Sequence, residues 1–229
     1  MPLTLSPCTP PDAPAFTTCF LATYTLQPRH ITTYASTPYA AQHAHYLAAF
    51  AAGIESQSHP TATLESHYLK VTDDVTGEWV AYAIWQYLPK GYVAEEDRFT
   101  EVKEEGEEGG MPEGVNGAMM KDFAGMTRRL RGTHPKHERR GAAGMLIRWA
   151  FPFADQGSKP CYVDGSSVGY ALYKRCGFTV DVGEVSVNLD KYGDQGFGVH
   201  RWVAMMREPV EKPEVEQSAG EGDGIGGPS

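Results

Sequence analysis

The apolar and polar positions along the chain fall into short segments of two periods. Near the N-terminus the run 4–9 (TLSPCT) reads as a first strand. Pro10, Pro11 and Pro14 come next, and proline is tolerated only in the first turn of a helix. Phe16, Phe20 and Tyr24 then recur at helical spacing, which predicts a helix entered through those prolines. A second helix is predicted over 39–54, rich in alanine and aromatic residues. After it the period changes to two. His67-Tyr68-Leu69-Lys70-Val71 alternates, Asp73-Asp74-Val75-Thr76-Gly77 is turn chemistry, and Trp79–Trp85 returns as an apolar strand, so this stretch predicts a β-hairpin.

The Glu- and Gly-rich segment 94–110 offers no apolar area to bury and predicts a mobile surface loop. A short helix is expected over 116–125 and a strand over 126–133. Ala143, Leu146, Ile147, Ala150, Phe151 and Ala154 form one apolar stripe, which predicts an amphipathic helix over 140–155. A buried strand over 160–164, a short helix over 168–175 closed by Gly177, and two last strands over 180–189 and 199–206 complete the series. Alternation of strands and helices argues for a mixed α/β layer fold. The expected organisation is one domain over 1–208, with an acidic loop near 94–112, and a disordered tail over 209–229.

A length of 229 residues with 41% hydrophobic content supports one domain with a real core. No run approaches the roughly 18 apolar residues of a membrane helix, and the N-terminus lacks a signal-peptide pattern. Cys8, Cys19, Cys161 and Cys176 have no CxxC or CxxH spacing, so reduced thiols in a cytoplasmic protein are expected, with no metal site. A net charge of −9 argues against a nucleic-acid partner, because phosphate binding needs a basic face. The same acidity either attracts a cationic substrate or only maintains solubility.

The segment richest in candidate chemistry is Thr133-His134-Pro135-Lys136-His137-Glu138-Arg139-Arg140-Gly141-Ala142-Ala143-Gly144, between a predicted strand and the predicted helix over 140–155. Gly141, Ala142, Ala143 and Gly144 carry little side-chain bulk, so a ligand can approach the backbone there. The first N–H groups of a helix lack internal partners and sit at the positive end of its dipole, and Arg139 and Arg140 add charge. The segment therefore reads either as an anion site suited to a pyrophosphate or as small residues that let a helix start pack tightly. It is neither a GxGxxG fingerprint nor a P-loop.

His134-Pro135-x-x-Glu138-Arg139-Arg140-Gly141-Ala142-Ala143 resembles motif A of the GNAT acetyltransferases, whose [QR]-x-x-G-x-[GA] loop binds the pyrophosphate of coenzyme A. Cys161–Ser167 resembles that family's next strand, and Gly169–Phe178 is similar to its LYxxxGF segment. The segments also resemble GNAT proteins of filamentous fungi. Two features depart from the pattern. Glu138 stands where Gln or Arg is usual, and the strand before the loop is short and basic.

The resemblance implies a GNAT fold, a twisted sheet of six or seven strands splayed between the fourth and fifth with helices on both faces. It implies acetyl-CoA as cofactor, held by Gly132, Thr133 and His134 along the pantetheine and by Arg139, Arg140, Gly141, Ala142, Ala143 and Gly144 at the pyrophosphate. It also implies transfer of the acetyl group to a small-molecule or peptide amine by direct attack in a ternary complex. Tyr173, five residues before Phe178, holds the position of the tyrosine that protonates the departing thiolate. A phenol, with a pKa of about 10, suits that donation. Helical spacing places Val168, Leu172 and Cys176 on one core face and turns Tyr173 towards a cleft. Asp164 or His134 can relay a proton as base, or the amine arrives neutral and no base is needed. Ser166 and Ser167 either bond coenzyme A or cap the following helix. Trp79, Tyr82, Trp85 and Tyr92 either line an acceptor pocket or belong to the core. Two other readings stay open: a GNAT-fold module that binds acyl-CoA without transfer, and an interaction domain using its acidic loop. No membrane partner is expected, and the oligomeric state is open, a homodimer included.

Overall fold

The computed structural model describes residues 2–57, 59, 64–88, 111–119 and 131–210. The acidic segment at 94–110, Tyr92, most of the helix expected over 116–125, most of the strand expected over 126–133 and nearly all of the tail lie outside the described residues.

The first layer is a sheet of strands β1 (Leu3–Pro7), β2 (Glu65–Asp73), β3 (Trp79–Tyr87) and β4 (Arg131–Thr133), in the order β1-β2-β3-β4 and antiparallel throughout. The expected hairpin is there, with a register shift at Val71/Thr72 and Gly77 at φ 72 in its turn. On one face lie α1 (Ala13–Tyr24) and α3 (Tyr39–Ser56). They bury Phe16, Phe20, Leu21, Phe50 and Ile54 against Tyr82 and Ile84 of β3. Between them runs α2 (Pro28–Thr33), which periodicity alone does not reveal in so short a segment. It is tied to α3 where His30 Nε2 meets Gln42 Oε1 at 2.8 Å and Gln42 Nε2 donates to the Thr37 carbonyl at 2.8 Å.

The opposite face of β3 packs against α4 (Ala142–Arg148) and a second antiparallel sheet, in the order β5-β7-β6. Its strands are β5 (Cys161–Ser166), β6 (Val180–Asn188) and β7 (Val199–Arg207). Two further helices, α5 (Phe151–Gln156) and α6 (Tyr170–Arg175), border this sheet. One core runs through both layers, from Leu69, Val71 and Ala83 through Leu146 and Ile147 to Val163, Phe178 and Met205.

The single helix expected over 140–155 is two, α4 and α5, separated by a turn at 149–150. Pro152 sits at the start of α5, where its missing N–H is harmless; in mid-helix its ring would clash with the Arg148 carbonyl. The indole of Trp85 donates to the Leu146 carbonyl at 2.9 Å near the end of α4. That interaction and its 7% exposure put Trp85 in the core, as does 0% for Tyr82, whereas Trp79 borders a cavity.

The four cysteines are buried and free, and burial pushes the thiols of Cys8 and Cys19 up to about 12. Among the described residues no helix is long and apolar enough to cross a membrane, and no cluster of His, Cys, Asp and Glu is fit to hold a metal ion.

Candidate functional site

Among the described residues, strands β4 and β5 are each the edge of their sheet, and no strand ladder joins them. The candidate site is built around this break. On its β4 side, Gly132 pairs with Tyr82, and a Cβ there would lie 2.6 Å from the Tyr82 hydroxyl and 2.7 Å from Cγ2 of Thr23. Only glycine lets β4 pass this close to α1. Thr133 pairs with Ala81, and the His134 N–H extends the ladder to the Val80 carbonyl at 2.8 Å.

A 3₁₀ turn over Pro135–His137 leads into the loop, with His134 Nδ1 accepting from the Lys136 N–H at 3.3 Å. Burial lowers the His134 pKa, and His137 and Lys136 push it the same way, so its ring is neutral near pH 7. It borders a cavity of about 390 Å³ with Cys19, Glu78, Trp79, Lys136 and His137.

Beyond the turn the backbone alternates. Arg139 has φ 64 and Gly141 φ 88, with Arg140 between them outside the left-handed region. Backbone of alternating hand turns successive N–H groups into one anion-holding concavity. A Cβ at Gly141 would meet nothing within 4 Å, so the backbone faces open space there. Ala142 and Gly144 turn inward and are buried, while Ala143 is half-buried. The helix expected to lend its dipole, α4, is only seven residues long, so the loop's own amides and side chains carry most of any anion affinity.

The two arginines diverge. Arg139 is exposed. Arg140, expected to add charge at the same anion, turns away instead. Its Nη2 lies 2.5 Å from Asp73 Oδ2 and its Nη1 3.0 Å from His137 Nδ1. Glu138, the departure from the motif, is exposed.

Across the break, Cys161, Val163 and Gly165 of β5 face the core, and Tyr162, Asp164 and Ser166 alternate to the other side. Ser166 Oγ accepts from the Gly169 N–H at 3.3 Å and closes the turn that precedes the next helix, whose N-cap is Gly169. Ser167 borders a second cavity of about 320 Å³ with Gly165, Tyr170, Arg201 and Val203.

The face predicted for the following helix holds in part: Cys176 belongs to the core and Leu172 packs against it, but Val168 and Tyr173 depart from it. Val168 is 92% exposed because α6 begins only at Tyr170, while Tyr173 is 9% exposed and belongs to the core. Its ring contacts Phe178 edge-on at 6.0 Å and lies against Gly165 and Gly169, where a Cβ would come within 3.3 and 2.9 Å of it. The tyrosine that turns outward is Tyr170, whose hydroxyl donates to Asp181 at 2.6 Å.

Sequence reasoning missed Asp73 and Arg29. Burial lowers the Arg29 pKa, and the hydroxyl groups of Tyr24, Tyr46 and Tyr34 and the Asp164 carboxylate oppose that shift. The charge of α2 is therefore felt at β5, although no local motif marks it.

No protein-family model matches the chain, and neither does any curated protein. Solved structures do. The chain is similar to a structure titled histone acetyltransferase HPA2 and related acetyltransferase from Corynebacterium glutamicum, at 21% identity and a TM-score of 0.54, covering 94% of this chain and 100% of that one. It is also similar to the ribosomal-protein-S18-alanine N-acetyltransferase of Escherichia coli, at 12% identity and a TM-score of 0.50, over 93% and 98% of the two chains. A protein from Bordetella pertussis assigned to the GNAT family matches at 13% identity and a TM-score of 0.50, over 90% and 95%. These likenesses show the fold: the chain has the mixed α/β fold of the GNAT acetyltransferases.

Proposed function

We propose that this protein is an acetyl-CoA-dependent N-acetyltransferase acting on a small-molecule or peptide amine. The observation that carries the reading is the turn at Arg139–Gly141, open to solvent and set at the end of β4, beside the break between the two sheets of a GNAT fold. The residues fit coenzyme A. Arg139 and the amides of Gly141–Gly144 would hold its diphosphate, and the unpaired edge of β4 at Gly132–His134 would hold its pantetheine. Bound there, the cofactor supplies an acetyl group activated as a thioester.

The chain's own residues then have few tasks. Neutral His134 and Asp164 are the candidates to take a proton from the attacking amine. Tyr173 is the candidate to donate one to the leaving sulfur, and Gly165 and Gly169, lacking side chains, leave its ring room to lie against β5. The burial of Tyr173 also favours a second reading, in which the fold binds acyl-CoA and transfers nothing. One experiment separates the two. Thiol release from acetyl-CoA is followed with a panel of amines for the wild type and Tyr173→Phe. The transferase reading expects amine-dependent turnover that falls at least tenfold in the variant with unchanged cofactor affinity. Binding without turnover on any amine supports the second reading, and turnover unchanged in Tyr173→Phe removes Tyr173 from the chemistry.

A further inference from the structure

The loop that would cradle the cofactor is held from outside the site, by residues that no motif marks. Asp73 ends β2, and its side chain is 1% exposed. Its Oδ1 accepts from the N–H groups of Val75 and Thr76 at 2.9 and 3.2 Å, and its Oδ2 from Arg140 Nη2 at 2.5 Å. A second contact runs in parallel. His137, whose Nδ1 touches Arg140, has its Nε2 3.5 Å from Glu78 Oε2 at the start of the next strand. The β2–β3 turn thus grips the β4–α4 loop at two points, across 67 residues of sequence.

Arg140 lies between the two left-handed residues Arg139 and Gly141, so whatever fixes its side chain also fixes the backbone that exposes the loop's amides. It is not at the disposal of a second anion. Moving its guanidinium onto a ligand would break a charge-assisted hydrogen bond to a carboxylate that the Val75 and Thr76 N–H groups already hold in place. Among the described residues Arg139 has no such tie, and its side chain is exposed.

We propose that Asp73 and Arg140 form a positioning clamp that sets the Arg139–Gly144 loop for the diphosphate of the acyl-CoA, with Arg139 and not Arg140 supplying the charge. The clamp rests on the N-acetyltransferase reading given above, and both arginines carry the same charge one residue apart, so only their partners tell them apart.

The test is calorimetric titration of the full chain with acetyl-CoA, for wild type, Asp73→Asn, Arg140→Gln and the double variant, well below each melting temperature. The clamp expects each single variant to raise Kd about tenfold and the double variant to be no worse than the weaker single one, because both break the same contact. It expects Arg139→Gln to add its own factor and to flatten the salt dependence. Direct contact between Arg140 and the diphosphate expects the opposite for Asp73→Asn: a freed guanidinium, with affinity unchanged or tighter, and that result overturns the clamp. Variants that lose thermal stability but keep the wild-type Kd overturn it as well. If Asp73→Asn does not fold, Arg140→Lys decides, since a retained charge with lost geometry weakens binding under the clamp and preserves it under direct contact. A wild type with no affinity for acetyl-CoA overturns the transferase reading and the clamp together, whereas a binding wild type with unaltered variants overturns the clamp alone.

Discussion

Gly132 shows how a single position is determined by what lies beneath it. Tyr82 is fully buried, and among the described residues its hydroxyl makes no well-formed hydrogen bond. A methyl at Gly132 would strike that hydroxyl, so Gly132→Ala should destabilise the protein by about 2 kcal/mol through overpacking. Tyr82→Phe removes an unpartnered buried oxygen and should be neutral or slightly stabilising, and added to Gly132→Ala it should recover part of the loss, the contact with Cγ2 of Thr23 remaining. Urea denaturation of the two single variants and the double variant checks this, and a double variant no better than Gly132→Ala would show that the clash is not with the hydroxyl. The run Gly141–Gly144 was legible in the sequence because small residues are a local signal. The direction of Arg140 was not, because its partner Asp73 lies in a distant hairpin and an ion pair across the fold leaves no spacing to read. Tyr173 escapes the local pattern because its apolar stripe is counted from Val168, which lies outside α6; within the helix Tyr173 stands three residues before the buried Cys176 and shares its face.

At the scale of elements, the hairpin, α1, α3 and β7 follow from periodicity, since each buries a regular face on a neighbour, whereas β6 stays mostly exposed. The break between α4 and α5 did not. An apolar stripe continues through it, and Pro152 outweighs the stripe by removing a donor and crowding the preceding turn. What then anchors α5 is a bidentate pair, Arg207 Nη1 and Nη2 to the two oxygens of Asp155 at 2.8 and 2.9 Å, with the Val210 N–H at 2.9 Å. The Arg207 guanidinium also lies 4.0 Å over the ring of Phe151. Hydrogen bonding from Arg207, foremost, holds the Asp155 carboxyl below the usual carboxylate range. A carboxylate with a lowered folded pKa stabilises the protein above its unfolded pKa, and that contribution is lost as pH falls through the folded value. Asp155→Asn should therefore cost about 1–2 kcal/mol at pH 7, allowing for partial solvent screening, and progressively less below about pH 4. Denaturation curves at several pH values check the sign, and a gap that widens in acid would contradict it.

The whole molecule is two antiparallel sheets that share a core and leave β4 and β5 as unjoined edges. That arrangement was expected from the order of segments and the motif resemblance together; neither alone gives it, because alternating strands and helices fit many layer folds. Arg29 on α2 interacts electrostatically with Asp164 on β5, across two layers of the fold. A net charge of −9 leaves local features such as Arg139 to attract an anionic cofactor against the field of the whole protein, so affinity should respond to that one charge. The most direct measurement is calorimetric titration of acetyl-CoA into the wild type and Arg139→Glu side by side. The account predicts one molecule bound per wild-type chain and at least tenfold weaker binding to the variant. Absence of binding at millimolar acetyl-CoA, or equal affinity for both proteins, would contradict it.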